Sequence, residues 1–271
     1  MTTGATVTYL VAGAGMAPGP VLLDAAANMV AGDGPMHLCR RVAESAPPSG
    51  LPVAPPPGRG RIVDETWTAP LGWLQSALDS GVGEPLASRV VVRMAWPLGA
   101  VAETMLLLAR LSCPSVRIAL DVDPSGVDDV FSYMNRLGFP WIAVPPAGPR
   151  VSDIAHALAR LGRRWLFDPQ TQVVMEPLLH ALPTIMGRAL GRDPVQWRYR
   201  AVDALTGDVA TGIWSASVHA MLRAGAPISS LGPVAALDAA WIDDLVEACA
   251  SLDLDALREV MDGVNLVGGP R

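Results

Sequence analysis

The amino-terminal strand, turn and helix constrain the fold of this chain more than any other segment. The apolar run at 7–11 is short and bounded by glycine, which is typical of a strand buried on both faces of a parallel sheet. Gly13 and Gly15 follow, and they permit a tight turn with no Cβ between the backbone amides and a ligand. Pro18 and Pro20 suit the first turn of a helix. The segment therefore predicts a turn that approaches a small molecule, although a purely structural turn has the same Gly-Ala-Gly spacing.

Two nucleotide-binding motifs can be compared with this segment. In a dinucleotide-binding unit, the strand that follows the glycine turn ends with an acidic residue, about twenty residues after the turn. The next candidate strand, at 35–40, is followed by arginine instead, and the spacing after Gly15 does not match the fingerprint. A basic ending of the kind that binds NADP remains an alternative. The 20 lysine and arginine positions are all arginine, which excludes a P-loop lysine and a lysine nucleophile.

The composition predicts a soluble, cytoplasmic protein. With 271 residues, 51% of them hydrophobic, the chain can bury one large core or two smaller ones. The formal net charge of -6 gives a nucleic-acid partner no electrostatic footprint. Cys39, Cys113 and Cys249 lie far apart without C-x-x-C spacing, so we expect neither a disulfide framework nor a metal site. No apolar run reaches membrane-spanning length, and no signal peptide is predicted.

Apolar runs alternate with helical patterns, which predicts a parallel α/β sheet in the first half. We expect strands at 61–64, 89–94 and 116–120, helices at 70–78, 103–111 and 127–137, and a loop at 46–60. In the second half we expect a helix at 151–161, strands at 165–167, 173–175 and 196–200, a helix ending at Arg223, and a helical segment at 236–261. Ligands of such sheets bind at the carboxyl ends of the strands, where the turns after residues 11 and 94 lie.

Several motifs occur in the order that is found in one superfamily. They are the glycine turn, the loop Trp96-Pro-Leu-Gly99, a strand ending in a Pro-Ser turn, and a helix closing on Leu-Gly-Phe-Pro140. Together they resemble the tetrapyrrole (corrin and porphyrin) methylase superfamily, and within it the borosin-type peptide α-N-methyltransferases. Residues 125–131 and 167–174 are also similar to borosin segments. The second loop lacks the family's Gly-Asp-Pro or Gly-His-Pro, and no catalytic residue is assigned.

The resemblance implies a two-domain tetrapyrrole-methylase-like α/β fold with a cofactor cleft between the domains and a C-terminal helical appendage. The implied parts are an N-terminal cofactor-binding domain at 1–144, a second α/β domain at 145–235, and a helical segment and tail at 236–271. The implied cofactor is S-adenosylmethionine, with S-adenosylhomocysteine as product, in a homodimer that N-methylates the backbone of a ribosomal peptide. The alternatives are a tetrapyrrole C-methyltransferase and a degenerate member that only binds a peptide or partner. The implied cofactor-binding residues are Gly13, Gly15, Pro18, Trp96, Pro97, Leu98, Gly99, Val101 and Ser125.

Other polar residues each have a functional and a structural interpretation. The histidines expected to be surface or capped residues are His156, His180 and His219. Arg93 lies within a strand, so we expect either an acidic partner or an orientation into the cleft. Asp121 and Asp123 follow a strand and suit either substrate contact or turn formation and helix capping.

Overall fold

The structure is a computed structural model that describes residues 6–12, 36–41, 62–79, 90–94, 117–138, 140–145, 151–168, 173–193, 195–232 and 234–251. The strands are β1 (Thr6–Ala12), β2 (Met36–Arg41), β3 (Ile62–Pro70), β4 (Val90–Met94), β5 (Arg117–Asp121), β6 (Trp141–Val144), β7 (Met175–Glu176), β8 (Arg198–Asp203) and β9 (Val209–Ile213). The helices are α1 (Leu71–Asp79), α2 (Val127–Leu137), α3 (Val151–Phe167), α4 (Leu178–Ala189), α5 (Ala216–Arg223) and α6 (Val234–Ala250).

The described strands form a single sheet in the order β7-β6-β5-β4-β3-β2-β1-β8-β9. Each neighbouring pair from β7 to β8 is parallel, and β9 runs antiparallel to β8. Strands β1 to β7 therefore lie side by side in chain order, and β8 pairs with the other side of β1. This is the strand order of a (βα)8 barrel opened between β7 and β8. Within the described ranges, no strand pairing joins β7 to β8.

The two faces of the sheet have separate hydrophobic cores, as the alternation of side chains along a strand requires. Val92, Ile118 and Leu120 belong to the outer core, which helices α1, α2, α3, α4 and α6 cover. Val91 and Ala119, next to them in sequence, belong to the inner core together with helix α5. The face that α5 covers is called the inner face below.

The sheet curls around helix α5. This helix contacts β3, β6 and β7, and the ring of its His219 also contacts Tyr9 on β1 and His37 on β2. In a flat sheet β1 and β7 would lie about 29 Å apart, whereas an α-helix is only about 10 Å wide. One helix reaches both strands only if the sheet is strongly curved. The residues from Ala216 to Leu222 are accordingly all buried.

Most of the predicted elements that fall on described residues are confirmed. Helix α2 has the predicted bounds, and Gly138 ends it with a φ of 69°, in the left-handed region that favours glycine. The predicted strand at 165–167 is wrong, because α3 continues to Phe167 with Trp165 and Leu166 packed against the outer core. The helix predicted to follow the loop at 205–208 and to end at Arg223 begins only at Ala216, and strand β9 takes the place of its expected first part. None of the helices in the described ranges is both long and apolar enough to span a membrane.

The mixed α/β class with a parallel sheet is confirmed, whereas two separate domains are not. The predicted boundary between residues 144 and 145 falls between β6 and β7, which pair directly at Trp141 and Met175. Strand β8, which belongs to the second predicted domain, pairs along its length with β1 of the first predicted domain. Within the described ranges the hydrogen-bonded sheet is therefore continuous across the predicted boundary. Of the helical segment predicted at 236–261, α6 accounts for the part up to Ala250.

Candidate functional site

Two arginines and two aspartates lie on the inner face where four strands of the parallel sheet end. Arg41 ends β2, Arg93 lies one residue before the end of β4, Asp121 ends β5 and Asp203 ends β8. Each of the four comes two residues after a member of the inner core in the same strand, so its side chain points to the same face. Because these strands are parallel, their ends share one edge of the sheet, which we call the carboxyl edge. Ligands of parallel α/β sheets and barrels bind at this edge.

Arg93 and Asp121 form an ion pair at the carboxyl edge. Arg93 Nη2 donates a hydrogen bond to Asp121 Oδ1 at 2.8 Å, so the predicted acidic partner of Arg93 is confirmed. Both side chains remain well exposed, 40% for Arg93 and 48% for Asp121. A pair this exposed stabilises a protein by at most about 1 kcal/mol. Its charges therefore remain accessible to a ligand.

Arg41 is the charged group of the carboxyl edge with the poorest set of partners. Its Nε and Nη2 atoms are shielded from solvent and make no hydrogen bond within the described residues. Burial lowers the pKa of this guanidinium, while Asp203 acts in the opposite direction. Arginine nevertheless stays charged in proteins. Asp203 Oδ1 accepts hydrogen bonds from the backbone of Leu205 at 2.8 Å and Thr206 at 3.2 Å. An anionic ligand would give Nε and Nη2 of Arg41 the acceptor that none of the described residues provides.

The two turns predicted to hold a cofactor follow strands that end on this same edge. Strand β1 ends at Ala12 and β4 ends at Met94, with β2 and β3 between them in the sheet. Three strand spacings correspond to about 14 Å in a flat sheet. The turn residues themselves lie outside the described residues; they are Gly13, Gly15, Pro18, Trp96, Pro97, Leu98, Gly99 and Val101.

Ser125, the remaining predicted cofactor-binding residue, forms a turn with Asp123. Its backbone N–H and its hydroxyl donate to the Asp123 carboxylate at 3.0 Å and 2.8 Å. These hydrogen bonds lower the pKa of Asp123 below its ordinary value, and the one from the backbone N–H has the larger effect. The turn-forming interpretation of Asp123 is therefore confirmed, and contact of Ser125 with a cofactor stays a prediction.

A second polar group lies inside the curve of the sheet. We call it the inner polar cluster, and it consists of Tyr9, Arg117, Glu176, His180, His219 and Arg223. Glu176 is completely buried, and its Oε1 lies 2.8 Å from both Arg117 Nε and Arg223 Nη1. His180 Nε2 lies 3.6 Å from the other oxygen, Oε2. Burial alone would raise the pKa of Glu176, but Arg223, His180 and Arg117 together lower it to about 2, so the carboxylate is charged at neutral pH.

His219 is only 3% exposed, so of the two predicted alternatives, a surface or a capped histidine, the surface position is wrong. Its Nδ1 lies 2.8 Å from the Tyr9 hydroxyl, which also accepts a hydrogen bond from Trp214 Nε1 at 2.7 Å. The pKa of His219 is held well below its ordinary value, mainly by burial and to a smaller extent by the neighbouring His180 and Arg223. His219 is therefore a neutral imidazole at neutral pH. His180 is half-buried against Glu176, whereas His156 is exposed as predicted.

The sequence analysis did not identify the inner polar cluster because its six members come from five separate elements. Glu176 lies in a strand of two residues, too short for a period-2 pattern. The sequence of α5 gave no signal of its enclosure either, since His219 and Arg223 form a polar stripe beside its apolar residues, as on an ordinary amphipathic helix.

No family model, curated protein or solved structure matches this chain. The resemblance to the tetrapyrrole methylases therefore stays a prediction, and the function has to be argued from the site.

Proposed function

We propose that the carboxyl edge binds S-adenosylmethionine and that the protein is a methyltransferase acting on a peptide backbone. The observation that carries this proposal is the set of opposite charges on one edge, Arg41 and Arg93 beside Asp121 and Asp203. The donor carries an α-carboxylate, an α-ammonium group and a ribose diol. The two arginines suit the carboxylate, which a guanidinium can bind through two parallel hydrogen bonds. The two aspartates suit the ammonium group and the ribose hydroxyls.

The chemistry of methyl transfer is compatible with a site that has few specialised residues. Transfer from a sulfonium is an in-line displacement, and holding the donor against its acceptor supplies much of the acceleration. An amide nitrogen is a poor nucleophile, so a peptide methylase also has to polarise or deprotonate the amide. Of the described residues at the carboxyl edge, Asp121 is paired with Arg93 and Asp203 binds backbone N–H groups. This occupation of both carboxylates favours, as the second candidate, a degenerate member of the fold that binds a peptide or partner subunit and no longer transfers methyl groups.

A tetrapyrrole C-methyltransferase is supported by the same two arginines, because tetrapyrroles carry several carboxylates that pair with guanidinium groups. The buried Nε and Nη2 of Arg41 could bind a carboxylate of a tetrapyrrole as well as the α-carboxylate of the donor, so they do not distinguish between the two ligands. A tetrapyrrole that copurifies with the protein would be detected by its visible absorbance, and this result would replace the peptide by a tetrapyrrole as the acceptor.

Calorimetry of the full chain with S-adenosylhomocysteine tests the donor site. Arg41→Gln is expected to weaken binding about 10- to 100-fold, since a hydrogen bond to a charged group contributes about 1.5–3 kcal/mol. Arg136→Gln is the matched control, because Arg136 is exposed in the last turn of α2. The control should bind like the wild type. Equal affinity of all three proteins, or no heat with any of them, would contradict the proposed site.

Methyl transfer is measured separately, by incubating the protein with S-adenosylmethionine and the peptide encoded beside it. A mass increase of one methyl group on the peptide is the expected result. Binding of the donor without any increase would favour the binding-only candidate.

A further inference from the structure

The inner polar cluster holds three potential metal ligands that face one another. Glu176, His180 and His219 can each offer one ligand atom, and these atoms all lie within 4.8 Å of one another. They come from the end of β7, the first turn of α4 and the middle of α5. In strand register Glu176 is level with Ala119, two residues before Asp121, so the cluster lies deeper along the inner face than the carboxyl edge. The proposed methyl transfer does not use it.

The hydrogen bonds within the cluster leave the ligand atoms available. Both guanidinium groups contact Oε1 of Glu176, while Oε2 is buried and makes no hydrogen bond within the described residues. His180 Nε2 is likewise buried without a hydrogen bond in that part of the chain, 3.6 Å from Oε2. A buried charged oxygen without a partner is costly. A cation between these two atoms would satisfy both.

The surroundings of His219 select its Nε2 as the third ligand. Its Nδ1 lies against the Tyr9 hydroxyl. A phenolic oxygen has two acceptor lone pairs, so it can accept from Trp214 Nε1 and from His219 Nδ1–H together. Histidines that bind metals typically donate their second nitrogen to such a neighbour, which fixes the ring and its tautomer. Nε2 of His219 is then left with its lone pair.

We propose that Glu176 Oε2, His180 Nε2 and His219 Nε2 bind a zinc-type divalent transition-metal ion. Two imidazoles and one carboxylate are a ligand set of catalytic zinc sites, which leave the fourth position to water or substrate. Tetrahedral bonds of about 2.0–2.1 Å place ligand atoms about 3.3–3.4 Å apart, close to the 3.6 Å between His180 and Glu176. Two imidazoles disfavour Mg²⁺ and Ca²⁺, which prefer oxygen ligands.

The neighbouring charges determine what occupies the fourth position. Arg117 and Arg223 already neutralise the Glu176 carboxylate, so the bound ion would stand in an electropositive site. An anion such as hydroxide or a carboxylate is therefore the favoured fourth ligand.

Titration of the metal-free full chain with Co²⁺ and Zn²⁺ tests this site without any activity assay. We expect one equivalent of Co²⁺ to produce the visible bands of a four- or five-coordinate ion, and one equivalent of Zn²⁺ to remove them. His180→Gln is expected to weaken binding at least about 10-fold, and Tyr9→Phe about 10-fold through the orientation of His219. His156→Gln is the matched control, since His156 is exposed on α3.

Bands in the wild type and the control that are lost in His180→Gln support the metal site. No bands in a wild type that is folded by circular dichroism would overturn it, and so would bands of equal intensity in His180→Gln. The cluster would then be an ion-pair network around Glu176 only. Because donor binding is measured at the carboxyl edge, failure of either proposal leaves the other standing.

Discussion

Ala220→Arg is expected to prevent folding of the whole chain. Ala220 is completely buried on α5, inside the curve of the sheet. A guanidinium at this position would be taken out of water without a partner, at an effective cost of several kcal/mol. Domains of this kind are stable by only about 5–15 kcal/mol. The soluble yield and the cooperative thermal transition, followed by circular dichroism, should both be lost or strongly reduced.

Two further variants make this prediction specific to the enclosure of α5. Ala239→Arg places the same side chain on an exposed position of α6 and should unfold like the wild type. Ala220→Leu adds volume without charge and should lower the free energy of unfolding by about 1–3 kcal/mol. If Ala220→Arg unfolds at the wild-type temperature, α5 is a surface helix and the sheet does not curl around it.

Glu176→Gln is expected to lower the free energy of unfolding by about 3–5 kcal/mol. The substitution keeps the shape of the side chain but removes the negative charge that pairs with Arg117 and Arg223. Removal of one partner from a buried ion pair has a cost of this size because the remaining charge stays buried. Urea unfolding in the presence of a chelator measures the effect, with unchanged m value. Glu247→Gln, on an exposed position of α6, should stay within about 0.5 kcal/mol of the wild type.

The pH dependence of stability gives an independent check on Glu176. The folded protein holds the pKa of this carboxyl at about 2, below its ordinary value of 4.5. A depressed carboxyl pKa stabilises the folded state above the ordinary pKa, and this contribution is lost as the pH falls from 4.5 towards 2. The loss amounts to about 3 kcal/mol at 1.36 kcal/mol for each pH unit. Glu176→Gln lacks this titration, so the difference between the two proteins should shrink by that amount at low pH.

The elements that the sequence predicted best are those whose local signals are complete. Helix α2 has acidic residues in its first turn, an amphipathic pattern and a glycine after its last residue, and each signal acts within a few residues. Strand β1 from Val7 onwards and the first three residues of β4 are buried on both faces of the sheet, as expected for the apolar runs there. An acidic partner for Arg93 was one of the two alternatives that the sequence left open, and the structure shows that pair.

The order of the strands and the inner polar cluster could not be predicted from the same signals. Parallel strands carry no sequence mark of their neighbours, so the pairing of β8 with β1 depends on contacts almost two hundred residues apart. Helix α5 looked like an ordinary helix, and its enclosure became evident only from the strands that surround it. Glu176 and His219 meet because the sheet curls, which is a property of the whole fold.

Hydrogen exchange of the full chain with and without S-adenosylhomocysteine tests the central claim most directly, because it locates the ligand on the molecule. We predict slower exchange in peptides that cover residues 13–20 and 95–99, together with the end of β2 at Arg41. Peptides that cover 176–180 and 216–223 should exchange at unchanged rates. Protection confined to these latter peptides, or the same rates everywhere at a saturating ligand concentration, would contradict a donor site at the carboxyl edge.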